Sequence, residues 1–253
     1  MATRKTTILL PHYKTRRHQR NGQRFYLADG GEFPSVTTIL SATESEDNRA
    51  RLRAWQERTP NHEHIRDLAA KRGTRLHQRL EDHLLGNEQT SLLGALLEPS
   101  PEDVEHEKLW DALQPFIESI EEVALLEAPL WWRSEDGRLG YAGAVDLVAR
   151  LKGEDGWSIC DLKTCTKPKP QKTWWGKAFC QLAAYSQAAE QVYVSHGLVI
   201  DKALVVSVDV QKFKLYPHAC IGEEFETYGE VWNDRLELFT EQREQAEKAL
   251  ELV

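Results

Sequence analysis

Apolar and polar positions along this chain follow two periods, and the change falls near residue 123. Upstream, the apolar residues recur at helical spacing. Residues 49–57 and 63–85 predict helices, the second with Leu68, Leu76, Leu80 and Leu84 close to one stripe and Gly86-Asn87 as its end. Residues 102–123 predict another, with Pro101 near its start and Pro115 marking a kink or a break. Ahead of these, residues 23–27 read as a short strand, followed by an Asp-Gly-Gly turn, and Pro34-Ser35-Val-Thr-Thr-Ile-Leu40 reads as an N-capped helix start. Downstream, residues 124–132, 141–151 and 157–163 predict three successive strands. A helix follows over 179–192, strands over 203–210 and 212–216, and a long charged helix over 223–252. This order predicts one α/β domain. Residues 1–122 form a basic arm and a helical part packed over one side of the sheet, and residues 123–253 form the sheet core with an acidic C-terminal helix.

The 253 residues suffice for such a domain, and 41 % hydrophobic with 28 % charged residues suits a real core under a polar surface. No apolar run approaches a membrane span, and the basic start has no signal-peptide core, so a cytoplasmic location is the expectation. The four cysteines, Cys160, Cys165, Cys180 and Cys220, are too few and irregular for a disulfide framework. They form no C-x-x-C pair for zinc or iron–sulfur, and small buried thiols are the reading they favour.

A net charge of −8 argues against general nucleic-acid binding, but its distribution does not. Arg4, Lys5, Lys14, Arg16, Arg17, Arg20 and Arg24 all precede the first acid, Asp29. A second basic run is Lys167, Lys169, Lys172 and Lys177, with Trp174-Trp175 inside it. Aromatics among cations suit stacking on unpaired bases beside phosphate contacts, and core tryptophans at a helix start are the equal alternative.

The strongest chemistry lies in the strands. Asp146 and Asp161 flank a hairpin signal, Lys152-Gly-Glu-Asp-Gly156, and pairing those strands brings the two carboxylates together. Converging carboxylates repel unless a cation separates them. Asp161 and Lys163 share a strand face, so an ammonium stands beside them. That layout suits a divalent metal acting on a phosphodiester. Glu127, among apolar neighbours in the preceding strand, needs a partner, unless it faces solvent on an edge strand that Pro129 would allow. His77 and Glu81 share a helix face, as do Gln181 and Tyr185.

Taken together, these residues resemble the PD-(D/E)xK nuclease superfamily, in its RecB-type branch, and within that branch the mitochondrial genome maintenance exonuclease family and related phage exonucleases. The matching pieces are Phe33 to Leu40, Gly73-x-x-x-His77, Glu127, Gly143-Ala-Val-Asp146, Asp161-Leu-Lys163-Thr164 and Gln181-x-x-x-Tyr185, in the family's order over roughly residues 33 to 210. Val145 stands where the superfamily's name places proline. The resemblance implies a central mixed sheet flanked by helices. It implies His77, Asp146, Asp161 and the Leu162 carbonyl as metal ligands, and Lys163 as the group that positions or deprotonates water. It implies Glu127 as support for metal or water, and Gln181 and Tyr185 as orienters of the lysine and the DNA backbone. Ser35, Thr37, Lys167, Lys169, Lys172, Trp174 and Trp175 are the expected nucleic-acid contacts. One or two Mg²⁺ or Mn²⁺ ions are implied, and no iron–sulfur cluster, because the cysteine layout of cluster-bearing members is missing. The expected function is cleavage of DNA from its ends, single-stranded DNA foremost, in recombination, repair or replication, and the resemblance to phage exonucleases implies a phage source. A structure-specific endonuclease, a non-catalytic DNA-binding subunit, and a nuclease dependent on a helicase, recombinase or single-strand-binding protein are the alternatives.

Overall fold

A computed structural model of the chain describes residues 7–87, 99–166 and 171–251. Five strands make the main sheet in chain order: β4 (Ile120–Arg133), β5 (Gly140–Leu151), β6 (Trp157–Cys165), β7 (Ile200–Asp209) and β8 (Lys214–Ile221). All neighbours are antiparallel except β6 and β7. Parallel neighbours need a crossover, which α5 (Gly176–Val192) supplies. The sheet is therefore mixed, as expected.

Each face of the sheet is covered. On one side, α1 (Val36–Ala42), α5 and α6 (Gly222–Glu251) bury Ile39, Phe179 and Trp232 against β-strand residues such as Val148 and Val205. On the other, following α2 (Glu46–Arg58), which buries no residue, α3 (His62–Leu85) and α4 (Pro101–Ser119) pack Leu76, Leu80, Leu109 and Leu113 onto Leu126, Leu147 and Val206. The outer ends of β4 and β5 are covered on that second side by a small sheet, β1 (Arg16–Arg20), β2 (Gln23–Ala28) and β3 (Gly31–Pro34), through Tyr26, Phe33 and Ala142. The β4 edge is protected where Leu9 and Leu10 donate N–H bonds to Val123 and Ala124 at 3.0 and 3.1 Å. Among the described residues no helix is long and apolar enough to cross a membrane. All four cysteines are buried.

Several elements depart from expectation for visible reasons. The helix predicted over 102–123 ends at Ser119, and β4 begins at once, with no break at Pro115. Pro115 sits on the exposed face late in α4, where the carbonyl that loses its partner meets water. The last strand continues past Tyr216 through Pro217, because β8 is the sheet's outer strand and its prolyl nitrogen owes no ladder bond. β1 has no apolar residue, but the Asn21-Gly22 turn that pairs it with β2 carries the positive φ values, 52° and 74°, of a tight hairpin. The acidic C-terminal helix is also a core element, since Trp232, Leu236 and Phe239 are buried under it. Trp232→Ala is expected to cost about 3–5 kcal/mol in urea unfolding; a loss under 1 kcal/mol would show that α6 contributes little to the core.

Candidate active site

The site begins with a reversal shared by two neighbouring strands. Leu126 and Leu147 face α3 and α4, whereas Ala128 and Val145, two positions along each strand, face α5. Residues two apart in a regular strand share a face, so β4 and β5 both invert, at Glu127 and at Asp146. These two residues lie opposite each other in the register, between the pairs Leu126–Leu147 and Ala128–Val145. Glu127 takes the left-handed conformation, φ 45°. A non-glycine residue there is strained, and such strain persists where surrounding structure imposes it, commonly at functional sites.

The second feature is a gap between strands. β5 and β6 pair only through Leu147, Val148 and Ala149 and then diverge. Asp146 turns into that gap and accepts the Leu162 N–H through Oδ2 at 3.0 Å. Asp161 is only 2 % exposed. Its Oδ1 accepts a hydrogen bond from Lys163 Nζ at 2.6 Å, while its buried Oδ2 has no hydrogen-bond partner among the described residues. Burial and the neighbouring Asp161 charge push the Asp146 carboxyl above the usual carboxylate range, against the pull of His77 and Lys163. Burial disfavours charge on Lys163, but Asp161 and Asp146 outweigh it and raise its pKa.

Helix α3 forms one wall. His77 Nε2 donates to the Leu162 carbonyl at 2.8 Å, and Nδ1 faces Glu127 at 3.4 Å and Asp146 at 3.5 Å. Burial works against charge on this imidazole, but Glu127, Asp146 and the Leu162 carbonyl hold its pKa up at about 9. A cleft of about 540 Å³ opens between α3 and β6, lined by Gly73, Thr74, His77, Glu81, Glu127 and Lys163.

From the opposite face of the sheet, Tyr185 of α5 reaches β5 at Gly143. A Cβ at Gly143 would lie 2.5 Å from the Tyr185 ring and 2.7 Å from its hydroxyl, so only glycine admits the ring. Gln181 is half-buried one helical turn ahead on α5. The structure thus gathers His77, Glu127, Asp146, Asp161, Leu162, Lys163 and Tyr185 in one region.

The expected nucleic-acid residues divide differently. Ser35 is buried and its hydroxyl caps α1, accepting the Thr38 N–H at 3.0 Å; Thr37 bonds that same hydroxyl at 3.0 Å. Trp175 belongs to the core, and Lys172 is paired with Glu224 of α6. Trp174 is 50 % exposed. Lys167 and Lys169 lie outside the described residues. Ser35 therefore caps a helix and Trp175 packs in the core. Ser35→Ala should cost about 1 kcal/mol of stability through the lost cap; an unchanged melting temperature would contradict that role.

A mixed sheet whose diverging strands present one buried carboxylate, one half-buried carboxylate and a lysine fits a nuclease architecture. The chain belongs to the PD-(D/E)XK nuclease superfamily, whose family model matches residues 44–251. None of the curated proteins matches the chain. Among solved structures, it is similar to an exonuclease candidate from Eubacterium rectale, with 13 % identity, a TM-score of 0.44, and coverage of 67 % of this chain and 64 % of that one. This chain therefore spans less than two thirds of that neighbour. It is also similar to the protein SSO0001, with 14 % identity, a TM-score of 0.32, and coverage of 64 % and 84 %.

Nucleases of this superfamily use divalent metals, and the residues here fit one. One donor atom each from His77, Glu127 and Asp146 lies within 4.8 Å of the others. Asp161 Oδ2, buried and without a hydrogen-bond partner among the described residues, is a costly acceptor that a cation would satisfy. The trio differs from the expected ligand set: Glu127 joins it, while the Leu162 carbonyl is engaged by His77 and Asp161 by Lys163.

Proposed function

We propose that this chain is a Mg²⁺- or Mn²⁺-dependent deoxyribonuclease that degrades DNA from free ends, with single-stranded DNA as the favoured substrate. The observation that carries the reading is the meeting of Asp146, Asp161 and Lys163 where β5 and β6 diverge. His77, Glu127 and Asp146 would hold the ion, and Asp161 of β6 would add its unpartnered Oδ2 to them. Carboxylate oxygens with one imidazole suit Mg²⁺ and especially Mn²⁺. When bound, the ion supplies positive charge at the scissile phosphate and acidity to water.

The protein's own groups do the rest. Lys163, fixed by Asp161, keeps an ammonium where negative charge develops on the phosphate and can orient the attacking water. The Leu162 carbonyl accepts from Nε2, which orients the imidazole of His77 and leaves Nδ1, the nitrogen that faces Glu127 and Asp146, free to bind the ion. Tyr185, with Gln181 on the same helix, supports the lysine and the DNA backbone from below. The preference for ends rests on the sequence resemblance and on α3, which walls one side of the cleft.

Two measurements test this. Linear and circular single strands are incubated with the protein and Mg²⁺ or Mn²⁺. Loss of the linear strand alone is expected, and equal cutting of the circle would make the enzyme an endonuclease. Separately, Mn²⁺ at one hundred times its Kd should stabilise the protein by about 2.7 kcal/mol. That gain should vanish in the Glu127→Ala, Asp146→Ala double variant; persistence there would place the ion elsewhere.

A further inference from the structure

The small sheet packed on β5 carries a cation that the scheme above leaves unused. Arg24 lies on β2, on the same strand face as Tyr26, which packs on Ala142 of β5. Ala142 immediately precedes Gly143, the residue under Tyr185.

The backbone of Arg24 is clamped at both ends. Its N–H donates to the Thr38 hydroxyl at 3.1 Å, and its carbonyl accepts the Ser35 N–H at 2.9 Å and the Thr38 hydroxyl at 3.2 Å. Ser35 in turn bridges to Ala142. The Pro34–Leu40 motif therefore fixes Arg24 against the strand that carries Asp146.

Arg24 is half-buried, and among the described residues its guanidinium makes no ion pair and no hydrogen bond. Nearby cations are engaged: Arg20 pairs with Glu32 at 3.2 Å, and Arg133 bonds the Asp29 carbonyl at 3.0 Å. A partly desolvated guanidinium on a fixed stretch of backbone, without a counter-ion, is unfavourable unless a ligand supplies the charge. Its field already reaches the site. Burial makes the Tyr185 hydroxyl harder to ionise, Tyr26, Asp146 and Asp161 act the same way, and Arg24 opposes them.

We propose that Arg24 is a phosphate clamp, binding the non-bridging oxygens of a DNA backbone phosphate next to the one cleaved. A guanidinium suits this because its planar fork meets two phosphate oxygens at once. The strand would then run between α3 and β2, gripped on the β2 side, and Ser35 and Thr38 would serve DNA binding by fixing Arg24. The proposal rests on the nuclease reading, because it takes the substrate to be DNA.

The test uses the full chain carrying Lys163→Ala, so that DNA stays intact with Mg²⁺ present. Fluorescence anisotropy follows binding of linear single-stranded oligonucleotides in which one uncharged methylphosphonate linkage is moved along the strand, at several salt concentrations. The Lys163→Ala protein should lose about tenfold in affinity at one linkage. Adding Arg24→Ala should lower affinity for unmodified DNA by a similar factor and reduce the salt slope by about 0.7, the share of one phosphate on a single strand. At that linkage it should show no further loss, and Arg24→Lys should recover part of it. The side-chain changes leave the backbone clamp in place, and Arg24→Gln serves as a second neutral variant. Unchanged affinity and slope in Arg24→Ala and Arg24→Gln, or a methylphosphonate penalty that persists in them, would overturn the clamp alone. A parent that neither binds nor cuts DNA would overturn the clamp and the nuclease reading together.

Discussion

Replacing Lys163 by alanine, or Asp161 by asparagine, is expected to lower the rate of DNA cleavage by at least about 10³-fold while the fold persists. The size follows from what each group does. Lys163 carries a fixed positive charge on the sheet floor, bonded to Asp161 at 2.6 Å. Removing one preorganised charge-stabilising group commonly costs 10²–10³ in rate. Removing it also frees the neighbouring carboxylate, so the local loss exceeds that of an isolated donor. Asp161→Asn keeps the shape but removes the charge that pairs with Lys163, and it replaces a carboxylate whose buried Oδ2 has no hydrogen-bond partner among the described residues. Single-turnover cleavage of a labelled strand measures the effect, with circular dichroism melting to verify folding. Folded variants that retain parental rates would mean the chemistry lies elsewhere.

Gly143→Ala is expected to have the second largest effect, on stability and activity together. The added methyl would meet Tyr185 at 2.5–2.9 Å, closer than any relaxed contact. Tyr185 is buried on α5, within a core that also holds Tyr141 and Trp232, so the ring has little room to retreat. Overpacking of this kind costs about 1–3 kcal/mol. A displaced ring would also disturb the floor beneath Asp146 and Lys163. The double variant Gly143→Ala, Tyr185→Ala separates the two causes. Relief of the clash should make it more stable than the sum of the single changes predicts. Strict additivity of the unfolding free energies would contradict the contact.

Much of this architecture was legible in the residues. Asp146 and Asp161 flank a turn-rich loop, and alternation places Lys163 on the face of Asp161; the structure brings all three together. The stripe of Leu76, Leu80 and Leu84 foretold the buried side of α3, and Gly86 its left-handed end. The reversal at Glu127 and Asp146 was not legible. A left-handed residue in a strand is normally signalled by glycine, and a glutamate gives no such sign. Pattern reading assumes a strand keeps its faces, which is the assumption these two strands break. Arg24 was counted only as one charge of a basic arm. Its placement depends on a tertiary bond between Ser35 and β2 that no local period encodes. Trp174 and Trp175 are neighbours in a mixed basic and aromatic run, but the short helical turn sends one to solvent and the other to the core.

The account stands most directly on one assay. The purified chain is incubated with an end-labelled linear single-stranded DNA in Mg²⁺ or Mn²⁺, in parallel with EDTA and with the Lys163→Ala variant. Cleavage that requires the added metal and Lys163 is the predicted result. Cleavage that continues undiminished in EDTA or without Lys163, or an intact strand under every metal condition and on duplex DNA as well, would contradict it.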